Sequence, residues 1–297
     1  QYGYCQKIQS FYDRVLVVGM RSVFDVVQAY RLPLPVAHKV RYCGYIRKPA
    51  SYGMSGDEVR SQLGLGKADR LVLVTPGGGE DGHSLVHTYL QGIQQLNPLS
   101  KQHQEGPGHI YSLILSGPEM PSELSHQLHA LANTCAHVKI ESFTREIFPY
   151  LKAADTIVSM GGYNTLTEIL SLGKRAIVLP RTQPSKEQLI RASRFSKRDW
   201  VKMLRADQTT PAEMMQAVIY QLNRREINTS EVDFGGLARV LCYLRSLVSP
   251  PSQSAFQSAS CQFAERRSPM PVTSVPALPV NYPPNPPPTN SPQCATA

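Results

Sequence analysis

The stretch from residue 155 to 181, DTIVSMGGYNTLTEILSLGKRAIVLPR, constrains the fold more than any other part of the chain. An apolar run of strand type, residues 155–160, stops at Gly161-Gly162. A helix-period segment then opens at Asn164-Thr165, and a second apolar run, residues 175–180, follows Gly173. Strand, glycine turn, helix and strand in that order make one βαβ unit. Glycines between a strand end and a helix start let backbone N–H groups approach an anion, which the helix N-terminus also attracts. The same glycines also serve a bare tight turn, so the neighbouring residues must decide between the two.

The alternation extends well beyond this unit. Strands are expected at 14–19, 40–46, 70–75, 109–115, 137–141 and 201–204, besides the two already named. Helices are expected at 22–30, 57–63, 83–96, 122–133, 148–154, 185–196, 211–223 and 237–248. From residue 57 onward this pattern argues for an α/β fold: a doubly wound parallel sheet covered on both faces. Right-handed crossovers would put the loops after the strands on one edge, where ligands bind in such sheets. Gly77-Gly78-Gly79, Ser116-Gly117-Pro118 and Gly161-Gly162 all follow strands and should share that edge. Asn164 or Thr165 can cap the helix there, leaving its first-turn N–H groups for phosphate oxygens. Glu168 lies one turn deeper on the same face as Asn164, where a carboxylate suits the vicinal diol of a ribose.

Composition narrows the function classes. No apolar run approaches the roughly 20 residues that cross a bilayer, and no basic region leads into an apolar one as in a signal peptide. The six cysteines are scattered without a CxxC pair, so neither a zinc site nor a disulfide framework is expected and a reducing cytoplasm is the default. The net charge of +9 is spread along the chain, with no basic run interleaved with aromatics. That argues against a nucleic-acid partner and for a cleft that takes a nucleoside diphosphate, or a basic face near anionic membrane. Half of the 24 prolines lie from Pro250 onward, so a disordered tail with polyproline character is expected there. The strand–helix–strand before the linker at 48–56 is too little for a domain. It reads as the end of one whose beginning is missing, and the want of an initiator Met suggests a fragment. The expected organisation is 1–48 as that remnant and hinge, 49–249 as the Rossmann-like domain and 250–297 as the tail.

The segment resembles the donor-binding half of a GT-B glycosyltransferase, and most closely glycosyltransferase family 28. That family includes the N-acetylglucosaminyltransferase that completes lipid II in peptidoglycan synthesis. The likeness rests on Met160-Gly161-Gly162-Tyr163-Asn164-Thr165-Leu166-Thr167-Glu168, on Leu179-Pro180-Arg181, and on Glu187-Gln188-Leu189-Ile190-Arg191-Ala192. Pro76-Gly77-Gly78-Gly79 matches the first loop of the same half, and residues 12–45 resemble the end of the other half and the hinge. The resemblance implies a nucleotide-sugar donor, a UDP-sugar first of all, with no cofactor and no metal; the chain has no Asp-x-Asp pair. By position Gly161, Gly162, Asn164 and Thr165 would face the diphosphate and Glu168 the ribose, with Gly78 and Gly79 of the first loop also binding the substrate. Arg181 would neutralise phosphate, and Glu187 with Gln188 would read the donor sugar, although Ser185-Lys186-Glu187-Gln188 is also a capping box. His83 reads as a helix-start residue, and no catalytic base stands out. The implied reaction is hexosyl transfer to an acceptor hydroxyl, by a cytoplasmic protein with possible peripheral attachment to the inner face of the membrane. The alternatives are a nucleotide-sugar epimerase, or a non-catalytic binding subunit whose acceptor half comes from a partner chain.

Overall fold

The computed structural model describes residues 2–100, 109–183, 186–224 and 227–248. The chain runs α1 (Tyr2–Phe11), β1 (Val15–Val18), α2 (Val26–Ala29), α3 (Leu34–Ala37), β2 (Val40–Gly44), α4 (Gly56–Gln62) and β3 (Arg70–Thr75). It continues through α5 (His83–Ser100), β4 (Ile110–Leu115), α6 (Ser122–Ala132), β5 (Val138–Glu141), α7 (Phe148–Ala153), β6 (Thr156–Ser159) and α8 (Tyr163–Ser171). The last elements are β7 (Arg175–Val178), α9 (Glu187–Ser196), β8 (Lys202–Met203), α10 (Pro211–Leu222) and α11 (Gly236–Val248). The expected proline-rich tail lies outside the described residues.

Six strands form one all-parallel sheet in the order β5-β4-β3-β6-β7-β8. The central strands carry apolar side chains on both faces because both faces are covered, with Thr75, Thr156, Ser159 and Arg175 as buried polar residues among them. Period-two alternation then sorts the side chains. Leu71, Leu73, Ile157, Ala176 and Val178 pack on one face against Leu151, Leu166, Ile169 and Phe195 of α7, α8 and α9. Val72, Val74, Ile114, Val158 and Ile177 pack on the other against Val86, Tyr89, Leu90, Leu128 and Met214 of α5, α6 and α10. The sheet is the doubly wound one expected from the alternation. Its strand order reverses between β3 and β6, and at such a switch point the loops diverge to leave a crevice. The loops flanking it are Pro76-Gly77-Gly78-Gly79 after β3 and Met160-Gly161-Gly162 after β6.

The amino-terminal part differs from expectation in several details. The helix expected from residue 22 starts only at Val26, because Asp25 caps it by accepting from the amides of Val27 and Gln28 at 3.0 and 3.3 Å. Pro33 and Pro35 do not leave a bare break, since Pro35 sits in the first turn of the short α3, where a missing N–H costs nothing. The strand expected to reach residue 46 ends at Gly44, whose positive φ of 79° turns the chain away. Helix α1 was not expected at all. Its C-terminal carbonyls are held from a distance: Lys39 Nζ donates to the carbonyls of Ile8, Gln9 and Tyr12 at 3.2, 2.6 and 2.7 Å. A cation at the negative end of a helix is favourable, but a partner about thirty residues away leaves no local pattern to read.

Strands β1 and β2 pair in parallel as a separate two-stranded sheet. It is tied to the larger one through the carboxyl-terminal segment. Tyr45 N donates to Asp233 O at 2.7 Å, Gly236 N to Tyr45 O at 3.0 Å, and Arg239 Nη1 to Cys43 O at 2.6 Å.

Candidate functional site

The three glycine loops do share the edge beyond the strand ends, but their glycines serve different ends. Gly79 has φ of 102°, and a Cβ there would stand 2.5 Å from the Ser116 carbonyl. A Cβ on Gly117 would meet the Gly78 carbonyl, and Glu119 N donates to that same carbonyl at 2.8 Å. So Gly79 and Gly117 are required by one loop lying against another. Gly161, at φ of 89°, turns the chain off β6, and its missing Cβ leaves room for Val178. Gly162 is unlike these. Its φ of −55° suits any residue, and a Cβ there would meet nothing within 4 Å. No contact or torsion among the described residues explains this glycine.

Gly162 is also the N-cap of α8, and it brings no side-chain cap. Asn164 and Thr165, expected as caps, lie inside the first turn instead, because the helix begins at Tyr163 directly after the glycine pair. The correction strengthens the anion argument: the first-turn N–H groups of Tyr163, Asn164 and Thr165 keep their donors for something outside the helix. Asn164 is exposed and Thr165 partly so.

Glu168 sits one turn further in and is 9% exposed. Its Oε1 is 2.9 Å from Lys48 Nζ, which reaches over from the linker after β2. A carboxylate so placed needs a cation or several donors to offset its desolvation, and Lys48 supplies the cation. Sequence reading passed Lys48 over as linker, and its partner lies 120 residues away. On the other flank, Glu187 is ion-paired with Arg191 one turn along α9, a Glu–Arg i,i+4 spacing legible in the sequence. Arg191 also donates to the Gly161 carbonyl at 3.3 Å and lies 5.2 Å over the Tyr163 ring, so it braces the second glycine loop from behind. Gln188, with its amide oriented to satisfy both ends, donates to Met160 O at 2.6 Å and accepts from Arg181 Nε at 3.3 Å. The capping box expected from Ser185 lies partly outside the described residues, and α9 has no side-chain cap at its N-cap, Lys186.

Arg181 bridges the two sides of the crevice. Its Nη1 lies 3.5 Å from Asp81 Oδ2 in the first glycine loop. This pair lines a cavity of about 280 Å³ together with Leu85, Met160, Leu179, Leu189, Arg205 and Asp207. His83 opens α5 as expected and stacks on His87, with ring centroids 5.4 Å apart. Burial, and then the neighbouring imidazole, hold the His83 pKa below its usual value. Its Nε2 and the fully buried Ser159 Oγ, at the end of β6, have no hydrogen-bond partner among the described residues. Those residues hold no group of three or more His, Cys, Asp or Glu side chains placed to bind a metal.

A doubly wound parallel sheet whose glycine loops and open helix N-terminus face its switch point defines a nucleotide-binding class of α/β protein. Residues 82–231 match the glycosyltransferase family 28 C-terminal domain. The chain belongs to that family.

Among curated relatives, an uncharacterised glycosyltransferase of Methanosarcina acetivorans is 30% identical over 128 residues, 43% of this chain and 31% of the relative. The UDP-N-acetylglucosamine–N-acetylmuramyl-(pentapeptide) pyrophosphoryl-undecaprenol N-acetylglucosamine transferase of Shouchella clausii is 23% identical over 192 residues, 64% of this chain and 52% of the relative. The chain thus spans from a third to a half of these relatives' lengths. Its fold is shared with the glycosyltransferase of kitacinnamycin (TM-score 0.56, 14% identity, covering 80% of this chain and 55% of that one). It is shared also with Acinetobacter baumannii MurG (TM-score 0.51, 16% identity, 79% and 64%). These likenesses bear out the GT-B fold.

Proposed function

We propose that this chain is the donor-binding part of a glycosyltransferase, holding a nucleoside diphosphate sugar, UDP-linked first of all, in the crevice between β3 and β6. One observation carries the reading: the uncapped N-terminus of α8 opens behind Gly162, a glycine with free space around it, and a buried carboxylate, Glu168, stands one turn further along. The diphosphate lies against Gly161, Gly162 and the amides of Asn164 and Thr165. Glu168 accepts from the ribose hydroxyls. Arg181 adds a cation from the facing loop, so helix N-terminus and guanidinium together meet the leaving diphosphate without a divalent metal. Gly78 and Gly79 meet the donor from the first loop, which Gly79 holds close against the loop after β4. Gln188, with Glu187 beside it, faces the sugar end, next to the cavity that Arg181 lines.

In this reading residues 49–249 are the donor half and residues 1–48 the end of the acceptor half and hinge. Transfer to an acceptor hydroxyl takes place once the acceptor half, in the same protein or in a partner chain, closes on this one. The basic charge and the undecaprenol-linked acceptor in the name of the Shouchella clausii relative support a cytoplasmic protein working at the inner face of the membrane.

Isothermal calorimetry tests the reading directly. The chain should bind UDP or a UDP-sugar without added divalent ion, and the absence of binding by any nucleoside diphosphate sinks it. Glu168→Ala should weaken UDP by about 1.5–3 kcal/mol, the size of a hydrogen bond to a charged group. An analogue lacking the ribose diol should lose far less.

A further inference from the structure

Lys48 comes from neither glycine loop. It belongs to the strap between β2 and α4, which lies across α7. Tyr52 of this strap donates its hydroxyl hydrogen to Glu146 Oε1 at 3.1 Å, and Lys152 of α7 donates to the carbonyls of Tyr52 and Ala50 at 3.0 and 3.4 Å. The Lys48 ammonium sits 5.3 Å from the Tyr52 ring centroid and 5.6 Å from that of Phe148, within cation–π range of both. Two rings, the anchored strap and the Glu168 carboxylate therefore fix one amine.

An ionised carboxylate offers about four lone-pair sites on its two oxygens. Lys48 Nζ stands 2.9 Å from Oε1 as an ion pair, and no other side-chain partner of Glu168 is present among the described residues. The sites away from that amine, including both on Oε2, remain for a ligand. Without the amine, a glutamate this buried would swing toward water to relieve its desolvation. That swing removes the fixed pair of acceptors that a vicinal diol requires.

We infer that Lys48 is a positioning residue for diol recognition: by clamping one oxygen of Glu168 from the strap, it presents the remaining acceptor sites to the ribose of the donor nucleotide. The inference rests on the donor-site reading above. It adds that selectivity for a ribonucleotide is built jointly by α8 and by the segment that leads in from β2. A change in how the strap lies on α7 is thereby transmitted to the ribose site.

The test uses the whole 297-residue chain, with Kd measured calorimetrically for UDP and for 2′-deoxyuridine diphosphate at one ionic strength. Wild type, Lys48→Met, Lys48→Arg, Glu168→Gln and the double variant Lys48→Met/Glu168→Gln are compared. The methionine keeps the apolar stem between the rings and removes the charge. Wild type should prefer UDP by about tenfold or more, the range of one charged hydrogen bond. Lys48→Met should lower that preference to about threefold or less, and Lys48→Arg should restore most of it. The double variant should bind UDP no more weakly than Glu168→Gln alone, since the two residues act as one unit.

A purely structural ion pair would lower the melting temperature of Lys48→Met and leave the UDP preference at its wild-type value. That result, or additive losses in the double variant, overturns the inference while leaving the donor-site reading intact. A wild-type chain that binds UDP and its deoxy analogue equally overturns the inference together with the ribose role of Glu168, whereas one that binds neither overturns the donor-site reading itself.

Discussion

The two glycine loops at the switch point look alike in sequence and behave oppositely in the structure. In the first, Gly79 is pressed against the backbone of the loop after β4, and its lack of a side chain is consumed by packing. In the second, Gly161 makes the turn while Gly162 faces open space at the head of an uncapped helix. A glycine beside a phosphate-type helix is therefore evidence of a ligand only when nothing in the protein already requires it. By that criterion the second loop points to the proposed donor site, while the first is packed against the loop after β4.

The sharpest way to break this contrast is Gly79→Ala. At φ of 102°, with a Cβ 2.5 Å from a carbonyl oxygen, the variant should lose about 3 kcal/mol or more of stability from torsional strain and overpacking together. A urea melt within about 0.5 kcal/mol of wild type would mean that the loops part easily and that the first loop is as free as the second.

The backing of the second loop can be probed by pH. Tyr45 packs against Tyr163, the first residue of α8, at 6.1 Å between centroids. Burial raises its pKa to about 12, from 10. Its folded-state pKa lies above the unfolded one, so below pH 10 the phenol is neutral in both states and has no effect. As pH rises from 10 toward 12 the unfolded chain releases this proton and the folded chain keeps it, so stability falls, by roughly 2–3 kcal/mol at most. Tyr45→Phe should flatten that part of the curve relative to wild type, as seen in denaturant melts at pH 9, 10 and 11. An unchanged slope would show that Tyr45 does not stay neutral behind the loop.

Gly162→Ala is the complement of the first variant. Stability should stay within about 0.5 kcal/mol of wild type, because the torsion is ordinary and the space is free. Affinity for UDP should fall about tenfold or more as the new methyl enters the ligand's volume. Unchanged affinity would remove the second loop's claim to the diphosphate. The smallest effect on the fold is expected of Arg181→Ala. The exposed pair with Asp81 contributes less than about 1 kcal/mol to stability, yet UDP binding should weaken several-fold and lose part of its salt dependence. A melting temperature that drops while UDP affinity holds would make Arg181 a clasp between loops and nothing more.

Much of this was legible beforehand. Continuous apolar strands separated by amphipathic helices can bury both faces of a sheet only if it is parallel and doubly wound, so the runs at 70–75, 155–160 and 175–180 carried the fold. The motif 160–168 carried the place of the candidate site, since it joins a strand end, two glycines and a helix start without a break. Local signals also set the start of α2 at Asp25 and the Glu187–Arg191 pair on α9, although neither had been drawn from them.

What the sequence determined by itself is thus what depends on neighbours a few residues apart: period, turn and helix start, and through them the sheet and the edge its loops share. Tertiary structure alone decided which glycine is packed and which is open, that Arg181 reaches Asp81 across the crevice, and that Lys48 holds Glu168. The physical reason is range. Hydrogen-bonding and hydrophobic periodicity are written along the chain, whereas excluded volume and ion pairing depend on distances through space, which exist only once the sheet has brought residues 48 and 168 together.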